Sequence, residues 1–475
     1  MKTWKKVALA LCVLLVVACH CDDKNDQPDL SNQPILPKKE LRGVWMATVW
    51  GLDWPQGEYD AEAQKASYIA YMDLFKQNNI NAVFVQVRGM ADAFYKSAYE
   101  PWCQYLTGQA DKDPGYDVLR FMIDEAHKRG IAFHAWLNPY RVATKKADAA
   151  AFPALDSRIP QAMTVDYKTI RMYNPALPEV RQRIFDIVKE LITKYDVDGV
   201  HIDDYFYPSL ASGETIKDEK EYEQYVAKDK DGKPTITVED FRRNNVDLTV
   251  KGIHEVAFTI SPAGNPDYNY NTMYADVLKW SREGWSEAII PQLYFPMGSA
   301  ESGFNHRLHW WSQFTYNNAL FVGYGTYRFG SDKAAAYQSS AELANQFAFA
   351  QKFHKVKGSV LYSAKDLLNN PVGILSVIKD VYKHPAVLPY LAKQQATPPS
   401  APTNVRANGK TLQWNGADGA YFAVYRSNGA GKEATTIAVT YQQEVTLNEV
   451  GTYFVTAVSK KDNAESQPST TVEVK

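Results

Sequence analysis

Cysteine is scarce in this sequence, which has four in 475 residues. Cys12 and Cys19 lie near the start of the chain. The other two, Cys21 and Cys103, show none of the spacing of a disulfide framework or of a thiolate metal site. We therefore expect no structural disulfide, no cysteine-bound metal and no cofactor.

An excess of one charge is also missing. The chain has 52 basic and 54 acidic side chains, a formal net charge of −2. Residues 1–18 contain three lysines, Lys2, Lys5 and Lys6, and no acid, so their removal leaves a formal charge of −5. Because nucleic-acid binding depends on positive charge that neutralises phosphates, this balance argues against a nucleic-acid partner.

The hydrophobic run near the start, from Val7 to Val17, is too short to cross a bilayer as a helix. Its basic start and the sequence Val16-Val17-Ala18-Cys19 are typical of a bacterial lipoprotein signal. We expect residues 1–18 to be a signal peptide and Cys19 to be lipidated; the alternative is an ordinary secretory peptide that is cleaved nearby. The protein is then anchored in the bacterial outer membrane or cell envelope, periplasmic or surface-exposed.

Composition divides the rest of the chain into a central domain with polar or proline-rich segments on both sides. Residues 19–39 are rich in Asp, Asn, Gln and Pro and are predicted to be a flexible tether. Residues 393–402 include a proline-rich linker. Residues 403–475 contain short alternating strands that predict a β-sandwich, which resembles a fibronectin type III module with Trp414, Tyr425 and Tyr453 as core aromatics. We interpret this module as a spacer or a binding domain.

The central domain, residues 40–392, shows a repeated strand-and-helix pattern. Eight short apolar segments are predicted as strands: 41–49, 81–87, 131–137, 199–203, 255–261, 288–294, 320–325 and 359–363. The stretches between them have helical periodicity, as in residues 179–194. Eight such repeats predict a (β/α)8 TIM barrel, with the longest loops after the second, third and fourth strands.

Alternation within the strands predicts which side chains face the barrel axis. In the fourth strand, His201 and Asp203 lie on one face, while Val200 and Ile202 lie on the other. The same reasoning gives polar faces in five strands: Gln86 and Arg88; His134, Trp136 and Asn138; His201 and Asp203; Thr259 and Ser261; Gln292 and Tyr294. These faces converge at the carboxyl ends of the strands, where enzymes of this fold carry their active sites.

Asp203 is the best candidate for a catalytic residue, because it lies on the axial face at the end of the fourth strand. The alternative is a structural carboxylate that caps a loop or pairs with an arginine. Asp204 follows at once but faces the other way in a regular strand, so that a structural role is as well supported as a catalytic one. A bend in the strand would change that assignment.

Hydrolysis of a glycosidic bond normally needs a second carboxylate about 5–10 Å from the first. The ends of the fifth, sixth and seventh strands offer none, so the candidates are in loops: Asp53, Asp92, Glu100 and Asp366. We favour Glu100, which lies between aromatic residues that are expected to raise its pKa and suit it to donate a proton. The alternative is an ordinary loop acid.

Several other polar residues are candidates for substrate binding. Arg88 and Arg141 could hold a carboxylate or an anionic sugar substituent, or simply pair with a barrel acid. Asn138 and Gln292 suit sugar hydroxyls. His134 and His201 could orient Asp203, or be ordinary core histidines. Aromatic rings suit the apolar faces of sugars, and those near the predicted site are Trp45, Trp50, Trp54, Trp102, Trp136, Tyr205 and Tyr294.

A family resemblance rests on motifs distributed in order along the barrel. They include Arg42-Gly43-Val44-Trp45, Glu100-Pro101-Trp102, His134-Ala135-Trp136-Leu137-Asn138-Pro139-Tyr140-Arg141, Asp198-Gly199-Val200-His201-Ile202-Asp203-Asp204-Tyr205 and Pro291-Gln292-Leu293-Tyr294. The chain resembles the glycosyl-hydrolase-like family ten domain of bacterial lipoproteins. This resemblance implies a (β/α)8 barrel, glycoside hydrolase activity on bacterial or dietary glycans, and Asp203 as the key carboxylate. Asn244 departs from the family, which often has Asp there, and His201 and Tyr205 depart from the chitinase pattern.

The sequence therefore predicts an exported, lipid-anchored glycoside hydrolase that cleaves O-glycosidic bonds in a bacterial or environmental oligo- or polysaccharide, with peptidoglycan strands among the candidates. A glycan-binding barrel without catalysis is the first alternative. A metal-dependent hydrolase that uses His134, His201 and Asp203 is the second. Substrate, anomeric specificity, stereochemical outcome and oligomeric state are left open by the sequence.

Overall fold

The computed structural model describes residues 34–210, 213–254, 258–298, 300–391 and 397–475. The predicted signal peptide, the lipidation site Cys19 and most of the predicted tether lie outside these residues. Residues 393–396 of the predicted linker lie outside them as well.

Eight parallel strands close into a barrel, as the sequence predicts. In chain order the first eleven strands are β1 (Leu41–Met46), β2 (Ala82–Arg88), β3 (Ala132–Leu137), β4 (Arg141–Thr144), β5 (Thr164–Tyr167), β6 (Ile170–Tyr173), β7 (Gly199–Ile202), β8 (Phe258–Ile260), β9 (Ala288–Ile289), β10 (Ala319–Tyr324) and β11 (Val356–Tyr362). The barrel order is β1-β2-β3-β7-β8-β9-β10-β11, and β11 pairs with β1. Strands β4, β6 and β5 form a separate antiparallel sheet inserted after β3.

Helices alternate with the barrel strands. They are α1 (Ala61–Gln77), α2 (Val118–Lys128), α3 (Pro178–Lys194), α4 (Glu219–Tyr225), α5 (Val238–Ile253), α6 (Pro266–Asn271), α7 (Val277–Glu283), α8 (Phe304–Phe314), α9 (Ala341–Ala350), α10 (Ala364–Asn369) and α11 (Ile374–Val381). Helix α3 shows why they form: Pro178 starts it, and Val180, Ile184, Ile187 and Leu191 recur on one buried face. That face packs against the outer side of the barrel.

Side-chain alternation divides the barrel core into two clusters. Trp45, Phe84 and Trp136 belong to the inner cluster, whereas Val200 and Ile202 belong to the outer cluster beneath the helices. Register matches Trp136 with His201 across β3 and β7, and His201 with Thr259 across β7 and β8. The inner polar residues predicted from strand parity therefore lie side by side.

The C-terminal region is all β. Its strands are β12 (Thr403–Asn408), β13 (Thr411–Asn415), β14 (Ala420–Arg426), β15 (Thr435–Thr440), β16 (Glu444–Thr446), β17 (Gly451–Ser459) and β18 (Val472–Val474). They form two antiparallel sheets, β12-β13-β16 and β15-β14-β17-β18. Trp414 and Tyr453 lie in the core between the sheets, as predicted. Tyr425 does not, because alternation in β14 directs it to a second cluster with Val387 and Leu36.

The C-terminal module packs against the amino-terminal ends of the barrel strands. The Tyr441 hydroxyl donates a hydrogen bond of 3.0 Å to Oδ1 of Asp198, the residue just before β7. The Tyr441 ring also stacks on His127, with centroids 4.2 Å apart. On the same side, the backbone of Ile35 exchanges hydrogen bonds with Lys432 and Ala434. The module therefore lies at the end of the barrel opposite the carboxyl ends of the strands.

No helix in the described ranges is both long enough and apolar enough to cross a bilayer.

Candidate active site

Asp203 is buried at the carboxyl end of β7, with 3% of its surface exposed. Its Oδ2 accepts a hydrogen bond from Trp136 Nε1 at 3.0 Å, and its Oδ1 accepts one from Asn138 Nδ2 at 3.1 Å. The backbone amide of Tyr205 also donates to Oδ1, at 3.3 Å. Burial raises the pKa of Asp203, although the charge of Arg141 and these hydrogen bonds oppose the rise.

Asn138 is fixed in the orientation that Asp203 requires. Its Oδ1 accepts hydrogen bonds from the backbone amides of Tyr140 and Arg141, at 3.2 and 2.8 Å. Because the side-chain oxygen is bound to these donors, the Nδ2 group is directed at the carboxylate of Asp203. The turn after β3 therefore supplies a positioned donor.

Asp204 differs from the expectation drawn from strand alternation. Strand β7 ends at Ile202, so the alternation of faces does not continue to residue 204. Asp204 is half-buried and accepts a hydrogen bond from Gln292, a residue of the same barrel end. Burial, with the charge of Asp203 as the next cause, raises the pKa of Asp204 to about 7. Two interacting carboxyl groups therefore lie together, and with a pKa of about 7 Asp204 carries its proton in about half of the molecules at neutral pH.

Glu100 has surroundings different from those predicted. Arg88 donates two hydrogen bonds to its carboxylate, from Nε at 2.7 Å and from Nη2 at 2.6 Å, and both side chains are almost fully buried. Arg88 also donates to the backbone carbonyl of Asn138. This is the alternative that the sequence left open for Arg88, pairing with a barrel acid. Glu100 is therefore held in a buried ion pair in which Arg88 occupies both of its carboxylate oxygens.

The two histidines do not hydrogen-bond to Asp203. Nε2 of His201 accepts from Trp45 Nε1 at 3.0 Å, and its Nδ1 lies 2.8 Å from Oγ1 of Thr259. Because an indole N–H only donates, His201 is the neutral tautomer with its proton on Nδ1. His134 stacks on Phe84 with centroids 4.5 Å apart, and burial lowers its pKa to about 4. Both are neutral histidines of the barrel core.

These contacts bear on the metal-dependent alternative. Among the described residues, no three His, Cys, Asp or Glu side chains are grouped as metal ligands. Both ring nitrogens of His201 are engaged in hydrogen bonds within the barrel, so this residue is not available as a ligand. The residues present therefore do not fit a site built from His134, His201 and Asp203.

Arg141, Tyr205 and Gln292 surround the two carboxyl groups. The Arg141 guanidinium lies 4.0 Å from the centroid of the Tyr205 ring, and Tyr205 is 51% exposed. Gln292 donates to the carbonyl of Ser261 at 3.0 Å. Tyr294 stacks on Tyr362 with centroids 5.8 Å apart. The barrel mouth thus combines a cation, an amide and exposed aromatic surface.

Sequence reasoning missed the contribution of Tyr362 to this aromatic wall. Its position near the end of the eighth predicted strand was the available signal. The other loop acids take part in local structure. Asp53 accepts hydrogen bonds from the Ala47 amide and the Ser363 hydroxyl, and burial raises its pKa to about 6. Asp366 caps the amino-terminal end of α10. Burial raises the pKa of Asp92, which accepts a hydrogen bond from the Cys103 thiol.

The profile of the family described as Glycosyl hydrolase-like 10 matches residues 40–339. The chain belongs to this family. Glycosyl hydrolase YngK of Bacillus subtilis is 35% identical over 91% of this chain and 92% of its own length. Glycosyl hydrolase DigH of Escherichia coli K12 is 30% identical over 76% of this chain and 93% of its own. A solved structure, the glycoside hydrolase domain of PgaB from Bordetella bronchiseptica, aligns with a TM-score of 0.47 and 11% identity over 76% of this chain and 100% of that one.

The family match includes the residues that surround the two carboxyl groups, although strand β11 lies beyond it. Residues 40–339 include Asp203, Asp204, Arg141 and Gln292. Membership of this glycosyl-hydrolase-like family therefore extends to every element that supplies the paired carboxyl groups.

Proposed function

We propose that this protein is a glycoside hydrolase that cleaves O-glycosidic bonds in an oligo- or polysaccharide, with Asp203 and Asp204 as its catalytic carboxyl groups. The observation that carries the proposal is the difference between these neighbours. Asp203 is held by three donors as a carboxylate, whereas burial and the charge of Asp203 raise the pKa of Asp204 to about 7. Glycosidases need one carboxyl group to donate a proton and one to act as the anion.

The roles follow from the two environments. Asp204 is half-buried at the barrel mouth and donates its proton to the leaving glycosidic oxygen. Asp203 stays ionised and stabilises the positive charge that develops at the anomeric carbon, or activates the attacking group there. Trp136 and Asn138 keep its carboxylate in place, and Arg141 offers donors to sugar hydroxyls. The Gln292 amide donates to Ser261 and to Asp204 and so positions the proton donor. Membership of the glycosyl-hydrolase-like family supports this assignment.

The test is hydrolysis by the wild type and by Asp203→Asn and Asp204→Asn. The substrates are peptidoglycan glycan strands and a panel of plant and host polysaccharides, and release of reducing ends is measured. We expect each variant to lose about 10²–10⁴-fold in kcat, the range of a positioned acid or base. Asp124→Asn, on the exposed face of α2, is the matched control and keeps full activity. Full activity of Asp203→Asn contradicts the proposal, and glycan binding without product in the wild type selects the binding-barrel alternative.

We also propose that residues 1–18 are a lipoprotein signal peptide and that Cys19 carries the lipid, with the protein in the outer membrane or cell envelope. The proposal rests on the sequence alone, on the basic start, the short apolar run and Val16-Val17-Ala18-Cys19. Membrane fractionation tests the proposal: Cys19→Ala is expected in the soluble fraction, whereas the matched variant Cys21→Ala stays with the membrane.

A further inference from the structure

A groove of about 650 Å³ lies beside the barrel mouth, between the loops that follow β1, β2 and β3. Its volume is within the range of ligand-binding sites. Trp50 comes from the first loop, Trp102 and Tyr105 from the second, and Lys145 and Leu155 from the third. None of these residues takes part in the chemistry proposed for Asp203 and Asp204.

Trp50 is the most unusual residue of the groove. Its backbone is left-handed, with φ 56° and ψ 16°, and 52% of its surface is exposed. A bulky residue adopts this conformation only where its surroundings impose it. Hydrogen bonds hold the turn on both sides of Trp50: Oε1 of Gln86 accepts from the amides of Thr48 and Val49, at 3.2 and 3.0 Å, and the Gly51 amide donates to the Thr48 carbonyl. Trp50 is therefore held in an unfavourable backbone conformation in which its large aromatic ring is exposed to solvent.

The groove is continuous with the candidate active site. The Arg141 guanidinium lies 5.9 Å from the centroid of the Trp50 ring and 4.0 Å from that of Tyr205. Tyr205 follows the two catalytic aspartates directly. A chain molecule bound at Asp203 can therefore extend past Arg141 and over Trp50 without leaving the surface.

The far side of the groove is rigid and polar at its rim. Trp102 is fixed by a β-bridge with Ala93. Asp111 and Asp156 both pair with Arg158, at 2.6 Å each, so one cation offsets part of the charge of these two acids. An aromatic floor with a polar rim matches a sugar unit, which has apolar C–H faces and a hydroxyl edge.

We infer that this groove is a distal subsite that binds sugar units of the same polysaccharide chain, remote from the bond that is cleaved, with Trp50 as the stacking platform. The inference rests on the proposed function. It makes the protein selective for chains of several sugars over disaccharides, because only a chain that reaches the groove gains the Trp50 contact.

Binding to the inactive Asp204→Asn protein tests this subsite without turnover. Disaccharides and hexasaccharides of the cello-, xylo- and chito- series are titrated by calorimetry into Asp204→Asn and into the double variant that also carries Trp50→Asn. Asparagine tolerates the left-handed backbone, so the ring is removed and the turn is kept; Trp50→Gly is the second variant, and thermal unfolding verifies both. We expect hexasaccharide of the responsive series to bind about tenfold more weakly without the ring, and disaccharide to bind unchanged.

Tyr316→Ala is the matched control, an aromatic residue 43% exposed that precedes β10 at the opposite barrel end, and it leaves both affinities unchanged. The proposed subsite is contradicted if both double variants, with Trp50→Asn or Trp50→Gly, bind hexasaccharide as tightly as Asp204→Asn alone. It is also contradicted if no series binds more tightly as the hexasaccharide than as the disaccharide. The two proposals fail separately. If the preference for longer chains depends on Trp50 but the wild type hydrolyses nothing, only the proposed catalysis is contradicted. If the wild type hydrolyses its substrate but the preference for longer chains does not depend on Trp50, only the proposed subsite is contradicted.

Discussion

The indole of Trp136 in β3 donates a hydrogen bond of 3.0 Å to Oδ2 of Asp203 at the end of β7. This bond favours the ionised carboxylate and so opposes the rise in pKa that burial causes. Trp136→Phe keeps an aromatic ring against His201 but removes the donor. We expect the pKa of Asp203 to rise, which moves the acid limb of the kcat/KM profile to higher pH and lowers activity on that limb about tenfold, since a hydrogen bond to a charged group contributes about 1.5–3 kcal/mol.

Trp45→Phe is the matched control for that substitution. Trp45 also donates an indole hydrogen bond in the barrel interior, but its acceptor is His201 and not Asp203. The acid limb is therefore expected to stay at the wild-type pH. An equal displacement of the limb in both variants would mean that general loosening of the barrel, and not the donor to Asp203, sets the profile.

Asp204 is expected to make both activity and stability depend on pH near neutrality. Its pKa is raised from 3.8 to about 7, so the proton donor is lost and kcat/KM falls as pH rises through 7. The stabilising effect of a raised pKa is complete below 3.8 and is lost as pH rises towards 7. Asp204→Asn is therefore expected to be more stable than the wild type at pH 8, on the order of 1 kcal/mol, and to lose this advantage at pH 4. Urea unfolding at the two pH values measures the difference, and an advantage at pH 4 alone contradicts it.

The barrel was predictable because its signal is local. Each of the eight apolar segments carries its own β-branched or aromatic alternation, and parity alone directed His201 and Asp203 to the axis. The ends of the strands were less predictable. The sixth predicted strand, residues 288–294, is only Ala288–Ile289 in the structure, because Pro291 has no amide to donate to the ladder, and Gln292 makes only isolated bridges to Ala263 and Gly323.

The sequence named both Glu100 and Asp204 but could not favour Asp204, the second carboxyl group that we propose, for two physical reasons. Alternation applies only while the ladder continues, and β7 ends one residue before Asp203, which frees Asp204 to face the mouth. The partner of Glu100 is Arg88, twelve residues earlier, and that pairing depends on how the loop after β2 folds back. Neither the end of β7 nor the Arg88–Glu100 pairing is indicated by a pattern in the neighbouring sequence. The inserted sheet of β4, β5 and β6 was not predicted either, for the same reason.

Glu100 is expected to stabilise the fold and not to donate the proton. Glu100→Gln leaves the buried guanidinium of Arg88 without its counter-charge, which costs about 3–5 kcal/mol in the free energy of unfolding. The fraction that folds is expected to keep the basic limb of its pH profile and a kcat within a few-fold of the wild type. Chemical unfolding together with active-site-normalised rates separates the effects. A stable Glu100→Gln protein that has lost about 10²-fold in kcat would restore Glu100 as the acid.

Tyr441 is expected to hold the C-terminal module on the barrel through Asp198. Burial would raise the pKa of Asp198, but the hydrogen bond and charge of His127 and the Phe133 amide together lower it. Tyr441→Phe keeps the stack on His127 and removes one hydrogen bond to a charged group, about 1.5–3 kcal/mol. The lowered pKa of Asp198 stabilises the fold above pH 3.8, and this stabilisation is lost as pH falls further. The loss of unfolding free energy in Tyr441→Phe should therefore be smaller in acid. Tyr421→Phe, whose hydroxyl bonds to Asn463 within the module, should lose stability without this pH dependence. Activity should be unchanged in both variants, since the module contacts the end of the barrel away from the active site, and a fall in kcat in Tyr441→Phe alone would contradict that separation.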